Sequence, residues 1–251
     1  MKLKKIVDFL DSYLEIDSVK DSCWNGLQFE GEEKVQKIVF AVDAAIETFE
    51  KAVKEKADMI VVHHGHFWKN QNPSVKSWAK DRLDILHNNK ISLYACHLPL
   101  DRHKIVGNNA QILKLIGAKI KDEFMFSGNK NIGWTGEFTN SKDLSIIEKT
   151  LTDKLDADCS VLPFGPKRIK RVAVCSGGAG YSGFYEALEA KADLLITGDA
   201  VEVYYSAKDA GINIIFAGHH ATETIGLIAL SKVVNNKFHI DTKFIDLPTG
   251  L

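Results

Sequence analysis

Three short apolar runs, each ending in histidine, constrain this chain more than any other feature. They are Met59-Ile60-Val61-Val62-His63-His64, Leu93-Tyr94-Ala95-Cys96-His97 and Ile214-Ile215-Phe216-Ala217-Gly218-His219-His220. Branched and aromatic runs this short, bounded by glycine, proline and charge, predict buried strands. In each case the imidazoles stand just past the strand's end, where an open α/β sheet keeps its site. Two of the runs also share a spacing, because His97 and Asp101, like His219 and Glu223, are a histidine followed four residues later by a carboxylate. If the chain turns helical after each strand, both members of a pair lie on one face and can grip one ion.

The adjacent pair His63-His64 adds a second inference. Neighbouring side chains diverge along a regular backbone, so two adjacent imidazoles are better placed to ligate two different ions than to chelate one. A few imidazoles with a bridging carboxylate is the two-metal arrangement, with the ions about 3.5–4 Å apart. The residues therefore predict a dinuclear centre. Imidazole and carboxylate ligation suits zinc, iron or manganese and does not choose among them.

The segments between these runs predict an α/β protein. Ile6, Val7, Leu10, Tyr13 and Leu14 recur at helical spacing and predict a first helix ending near Asp17-Ser18, followed by a loop through Asn25-Gly26-Leu27-Gln28. A strand at 37–42 precedes Asp43, a candidate N-cap for a helix burying Ile46, Phe49 and Val53. A helix with Trp78, Ala79, Leu83 and Leu86 on one side and another with Ile112, Leu113 and Ile116, closed by Gly117, complete a strand-helix alternation. That alternation favours a largely parallel sheet covered on both faces. The pattern then lapses over 123–128, resumes with a strand at 132–136 and a helix through Leu144, Ile147, Leu151 and Leu155, and begins to repeat itself.

The repeat is visible in letters. Lys37-Ile38-Val39-Phe40-Ala41-Val42 is echoed by Arg171-Val172-Ala173-Val174-Cys175, and Lys56-Ala57-Asp58-Met59-Ile60-Val61 by Lys191-Ala192-Asp193-Leu194-Leu195-Ile196. Superposing His97 on His219 lays Asp101 on Glu223. Such self-similarity predicts a duplicated α/β unit whose copies contribute to one shared site. We draw the first domain as residues 1–124 plus about 219–251, and the second as 125–218. The alternating Phe238, Ile240, Thr242 and Phe244 predict a last strand returning to one of the sheets.

Composition excludes more than it identifies. With 251 residues and a net charge of −1, and with acidic and basic residues interspersed, nothing points to nucleic acid or an anionic membrane surface. The opening Met1-Lys2-Leu3-Lys4-Lys5 runs into an amphipathic pattern rather than a signal peptide, and no apolar run is long enough to span a bilayer. Cys23, Cys96, Cys159 and Cys175 have no paired spacing and read as reduced thiols, so a cytoplasmic location is expected.

The ordered set Asn25-Gly26-Leu27-Gln28, His63-His64-Gly65, His97-Leu98-Pro99-Leu100-Asp101, Gly107-Asn108-Asn109-Ala110, Cys175-Ser176-Gly177-Gly178, Thr197-Gly198-Asp199 and Gly218-His219-His220-Ala221-Thr222-Glu223 resembles the NIF-three-like family, whose members are often labelled GTP cyclohydrolase I type 2 homologues. The resemblance runs nearly end to end. It implies two intertwined, similar α/β domains, two divalent metal ions per chain, and assembly into a ring-shaped homohexamer. Carried over position by position, the ligands are His63, His64, Asp101, His219 and Glu223, with Glu223 bridging, and His97 serves as a supporting or proton-transferring residue. The label also implies a nucleotide substrate and hydrolytic opening of a purine ring. Phosphoester hydrolysis needs the same hardware, because two metals lower the pKa of water from 15.7 toward about 7 and a nearby imidazole titrates in the working range.

Two other readings stand beside hydrolysis. One is a metal-binding scaffold or regulatory protein without turnover. The other is a dinucleotide-binding protein, because Gly178-Ala179-Gly180-Tyr181-Ser182-Gly183 matches G-x-G-x-x-G after a strand and Asp199 ends the next strand. Such a glycine-rich turn could also cradle a phosphate. The basic run Lys167-Arg168-Ile169-Lys170-Arg171 reads as a solvated strand edge. His66 and His220 read as rim or structural imidazoles, and His87, His103 and His239 as solvated or hydrogen-bonded ones.

Overall fold

The computed structural model describes residues 1–251. In chain order the elements begin with α1 (Leu3–Leu14), β1 (Gly26–Phe29), β2 (Lys37–Asp43), α2 (Ile46–Lys54), β3 (Met59–His64), α3 (Trp78–Asn89), β4 (Ser92–Ala95), α4 (Leu98–Arg102) and α5 (Asn108–Ile116). They continue with β5 (Lys119–Ser127), β6 (Lys130–Asp143), α6 (Leu144–Leu155), β7 (Ser160–Pro163), β8 (Arg168–Cys175), α7 (Gly180–Glu189), β9 (Leu194–Thr197), α8 (Tyr204–Ala210), β10 (Asn213–Phe216), α9 (His219–Phe238) and β11 (Asp241–Phe244). Two compact units result: Met1–Leu100 with Leu227–Leu247, and Asp101–Gly226 with Pro248–Leu251. These divisions fall at 100/101 and 226/227, where the sequence pattern placed them at 124/125 and near 219.

The first unit holds a five-stranded sheet in the order β1-β4-β3-β2-β11, parallel except for β1. Its central strands are buried on both faces, as the continuous Ile38–Val42 and Met59–Val62 runs require. α1 buries Leu3, Ile6, Leu10 and Leu14 at helical spacing and ends at Glu15, whose φ of 51° is left-handed. Within the Asn25–Gln28 segment, expected as a loop, Gly26–Gln28 belong to edge strand β1; four residues with a glycine at φ 96° give too little periodicity to announce a strand. α3 also departs from expectation. Only its Leu86 is buried, and Trp78 at its start is 56% exposed.

The second unit holds a six-stranded sheet in the order β5-β6-β8-β9-β10-β7, with β8, β9 and β10 parallel and the other pairings antiparallel. Its core gathers Ile112, Ile147, Leu151, Ile169, Val172 and Ile215. β8 is an interior strand, not the solvated edge that its basic residues imply. Its basic side chains fold onto the sheet: Arg171 donates to Glu137 at 2.9 Å and to the Ala190 carbonyl at 2.9 Å, and Lys170 caps the Phe138 carbonyl at 2.5 Å.

The duplication is carried by topology as well as letters. The succession α1-β1-β2-α2-β3-α3-β4 is repeated by α6-β7-β8-α7-β9-α8-β10, and the sheet order β1-β4-β3-β2 by β7-β10-β9-β8. Even one turn recurs. Lys56 and Lys191 both take left-handed φ, 57° and 53°. The following acids accept two backbone N–H groups each: Asp58 Oδ2 from Gln36 and Lys37, Asp193 Oδ2 from Lys170 and Arg171. In both units three parallel strands end side by side, and the histidines singled out in the sequence stand at those ends or just beyond them: His63 and His64 are the last two residues of β3, one step short of the position expected past the strand, while His97 and His219 follow β4 and β10.

Candidate metal centre

In the first unit, β3 delivers His63 and His64 at its last two positions, and His97 follows two residues after β4. Each offers one ligand atom, and these atoms lie within 4.8 Å of one another. The rings are close, with centroids 4.9 Å apart for His63 and His64 and 5.0 Å for His63 and His97. What organises them is the other nitrogen. His63 Nδ1 lies 2.9 Å from the Cys96 carbonyl, His64 Nδ1 lies 2.8 Å from Asp43 Oδ1, and His97 Nδ1 lies 2.9 Å from Asp21 Oδ1. A carbonyl or carboxylate oxygen only accepts, so Nδ1 carries a proton in each ring and, in the neutral ring, Nε2 keeps its lone pair. This is how metal-binding imidazoles are oriented by their outer partners.

Asp21 is itself built into place. It is 7% exposed and accepts from Asn25 Nδ2 at 2.9 Å, the Cys23 N–H at 3.0 Å and the Leu98 N–H at 3.0 Å. Burial works to raise its pKa, but the hydrogen bond and charge of His97, with those of Asn25 and Cys23, hold it well below the usual carboxylate range. Asn25 Oδ1 also accepts the His97 N–H at 2.7 Å, and Gln28 Oε1 accepts the N–H groups of His66 and Phe67 at 2.7 and 3.1 Å. The Asn25-Gly26-Leu27-Gln28 motif thus fixes both the acid behind His97 and the turn after His64.

The second unit holds its own set. His219 and Glu223 stand one turn apart at the start of α9, where the four-residue spacing brings Nε2 and Oε1 to 3.2 Å. His219 Nδ1 lies 2.9 Å from Asp199 Oδ1. The Glu223 hydrogen bond raises His219 to about 9, against the lowering effect of burial and with help from the Glu223 and Asp199 charges. Asp101, 4% exposed, accepts from Asn108 Nδ2 and Ser176 Oγ, both at 2.8 Å, and both on Oδ1. Asn109 Oδ1 in turn accepts the Ser176 N–H at 2.6 Å. The adjacent Gly177, at φ 59°, packs so closely on the pair that an added Cβ would lie 2.4 Å from Glu223 Oε1 and 3.1 Å from His219 Nε2.

The donor chemistry of both sets fits divalent cations of the zinc, iron and manganese class. Imidazoles whose Nδ1 atoms are tied to outer partners, and a buried carboxylate such as Glu223 at 2% exposure, are groups that an ion would satisfy. Burial raises Cys23 to about 11 and pushes Cys175 higher still, so neither thiol competes as a thiolate ligand.

A profile of the family described as Duf34/NIF3 (NGG1p interacting factor 3) matches residues 1–249. The chain belongs to the Duf34/NIF3 family. It is 46% identical over 253 residues to a protein of Pyrococcus abyssi named GTP cyclohydrolase 1 type 2 homolog, with 100% of each chain covered. Among solved structures it is similar to protein ybgI, described as of unknown function, with a TM-score of 0.93 and 36% identity over 100% of both chains. TTHA1606 from Thermus thermophilus superposes with a TM-score of 0.89 and 34% identity, again over 100% of both chains.

Within this Duf34/NIF3 chain the structure gathers His63, His64 and His97 into one group, and His219 with Glu223 into another. It sets Asp101 in a cradle of its own. Four positioning residues carried no spacing signal. Asp21 is 76 positions from the histidine it holds, Asp199 stands 20 positions before His219, and Asn108 and Ser176 gave no sign that they meet at Asp101. Asp43, expected to cap α2, instead binds His64, its register partner on the neighbouring strand, while Ala45 takes the cap position. The glycine-rich segment also has an account without a dinucleotide. Gly177 and Gly178 are needed for close approach to Glu223, His219 and Asp199, and α7 already begins at Gly180. His66 is buried with Nδ1 unpaired, and His103 Nδ1 accepts the N–H of Val106 at 3.1 Å.

Proposed function

We propose that this protein is a dinuclear divalent-metal hydrolase acting on a nucleotide, whose two ions would be held by His63, His64, Asp101, His219 and Glu223. The observation that carries the reading is the fixing of Nδ1 on His63, His64 and His219 by Cys96 O, Asp43 and Asp199, which supports Nε2 as the ligating atom of each ring. When bound, two such cations polarise the scissile group and make water a nucleophile near neutral pH.

The chain's own residues would do the rest. His97, paired with the ionised Asp21, has the oriented imidazole that proton transfer to or from a substrate needs. Asn108 and Ser176 fix the rotation of Asp101, and Gly177 lets Glu223 approach His219. The name of the Pyrococcus abyssi relative, GTP cyclohydrolase 1 type 2 homolog, supports a purine nucleotide and ring opening; phosphoester cleavage is the competing reaction on the same residues. A ring-shaped homohexamer, in the cytoplasm, completes the reading. No helix is long and apolar enough to cross a membrane.

Elemental analysis should give two divalent ions per chain, and a nucleotide panel should reveal metal-dependent loss of substrate that Glu223→Gln abolishes. Equal turnover by the native protein and Glu223→Gln would overturn the catalytic role. Light scattering at micromolar concentration tests the hexamer, and a monomer would refute it.

A further inference from the structure

Outside the two histidine sets, the first unit carries a pocket of about 440 Å³ beside the loop that joins β3 to α3. Its walls include Trp24, His66, Trp68, Asn72, Lys76 and Trp78. Three features make it more than a surface dent. The first is its aromatic content. Trp24 and Trp78 are 55% and 56% exposed, although tryptophan is normally well buried, and α3 gains no core contact from Trp78.

The second feature is charge. Lys69 Nζ stands 5.1 Å from the Trp24 ring centroid and Arg82 Cζ stands 4.8 Å from that of Trp78, so each bare indole already has a cation over it. Lys76 adds a third positive group to the wall. The third feature is continuity with the metal-ligand residues. Trp68, pinned by its Nε1 hydrogen bond to the Gly65 carbonyl at 2.8 Å, packs edge-on against His97 with centroids 5.1 Å apart and lies 6.2 Å from His64. His66, 6% exposed and with its Nδ1 unpaired, sits edge-on to Trp78 at 6.2 Å.

We propose that this pocket binds a planar heteroaromatic ring of nucleobase type, stacked on Trp24 and Trp78, with the surrounding cations facing an anionic part of the same molecule. The volume lies within the range of small-ligand sites. Flat indoles bind any base through its π-face, and neighbouring cations favour a phosphorylated one. Asn72 and the buried imidazole of His66 supply polar groups at the wall, and the shared wall with His64 and His97 brings the ring's substituents toward the residues proposed for chemistry. The assignment rests on the proposed function for the reaction, but not for the binding.

Tryptophan fluorescence of the full chain, titrated with guanosine, GTP and ribose 5-phosphate with and without chelator, tests it. Guanosine should quench saturably in both conditions, GTP should bind more tightly than guanosine, and ribose 5-phosphate alone should neither quench nor compete. Trp78→Ala should weaken guanosine by about 10-fold to 100-fold, the scale of one stacked base, and Trp78→Phe should restore most of it. Native affinity in both Trp78→Ala and Trp24→Ala, or equal competition by ribose 5-phosphate, would overturn the proposal. Metal content separates the two ideas: two ions per chain without guanosine binding sinks the pocket alone, whereas guanosine binding on a protein that takes up no metal sinks the hydrolase reading and leaves the pocket standing.

Discussion

His219 lies between two acids, hydrogen-bonded to Asp199 on one side and Glu223 on the other, and the pair lifts it to about 9. In the metal-free protein it is therefore protonated at neutral pH, and an ion that uses Nε2 must displace that proton. The sign follows directly: below about pH 9 the proton competes, so apparent metal affinity should fall by about tenfold for each unit of acidification down to neutrality. Loading should also release a proton, which calorimetry in buffers of different ionisation enthalpy will detect. Asp199→Asn should weaken metal binding by about 10-fold to 100-fold with little change in melting temperature, since it removes an orienting partner and no core contact. Gly177→Ala is a stricter trial. Its Cβ would collide with Glu223 Oε1 at 2.4 Å in a backbone region costly for alanine, so we expect a loss of about 1–2 kcal/mol in stability and most metal occupancy, read by denaturation and elemental analysis. The candidate ligands themselves were legible because histidine after an apolar run is rare and local. Asp21, Asp43 and Asp199 were not, because they reach their imidazoles across strands and loops that only the fold brings together.

At the scale of elements, the paired turns at Asp58 and Asp193 act as register pins. Each carboxylate accepts two successive N–H groups, at the entrance to β2 for Asp58 and at the third and fourth residues of β8 for Asp193, and so sets which residues of β2 face β3, and which of β8 face β9. Asp58→Ala and Asp193→Ala should each cost about 1–2 kcal/mol in urea denaturation, with similar values because the two turns are built alike. Six of the strands that the sequence announced, β2, β3, β4, β8, β9 and β10, carry continuous apolar runs buried on both faces, while β11 was announced by alternation alone and begins at Asp241, Phe238 belonging to α9. β5 stayed hidden in the region where periodicity lapsed, since only Phe124 among its nine residues is buried. β6 extends over 14 residues, far beyond the five expected, because its later half is polar and its pairing with β8 breaks register between Glu137 and Lys142. β7, ending in proline at a sheet edge, lacks the same signal. α3 carried a misleading one: Trp78 shares the apolar stripe yet serves no core.

For the whole molecule, the ions of the proposed centre would act as folding ligands. With free metal at about 1,000 times its Kd, loading should add about 4 kcal/mol, so chelation should lower the melting temperature reversibly and re-addition should restore it. No shift on chelation would mean that the ions contribute nothing to the folded state. The order of the chain has another outcome. β11 pairs with β2 across some 200 residues of intervening sequence, whereas β5 through β10 are consecutive. During synthesis, as the polypeptide leaves the ribosome from its N-terminus, the later-encoded sheet has all its strands first, and the earlier-encoded one waits with β2 bare along one side. Birth order and completion order are thus reversed. Protease challenge of the chain truncated after residue 226 and released should find the six-stranded half already resistant and the five-stranded half still open to cleavage.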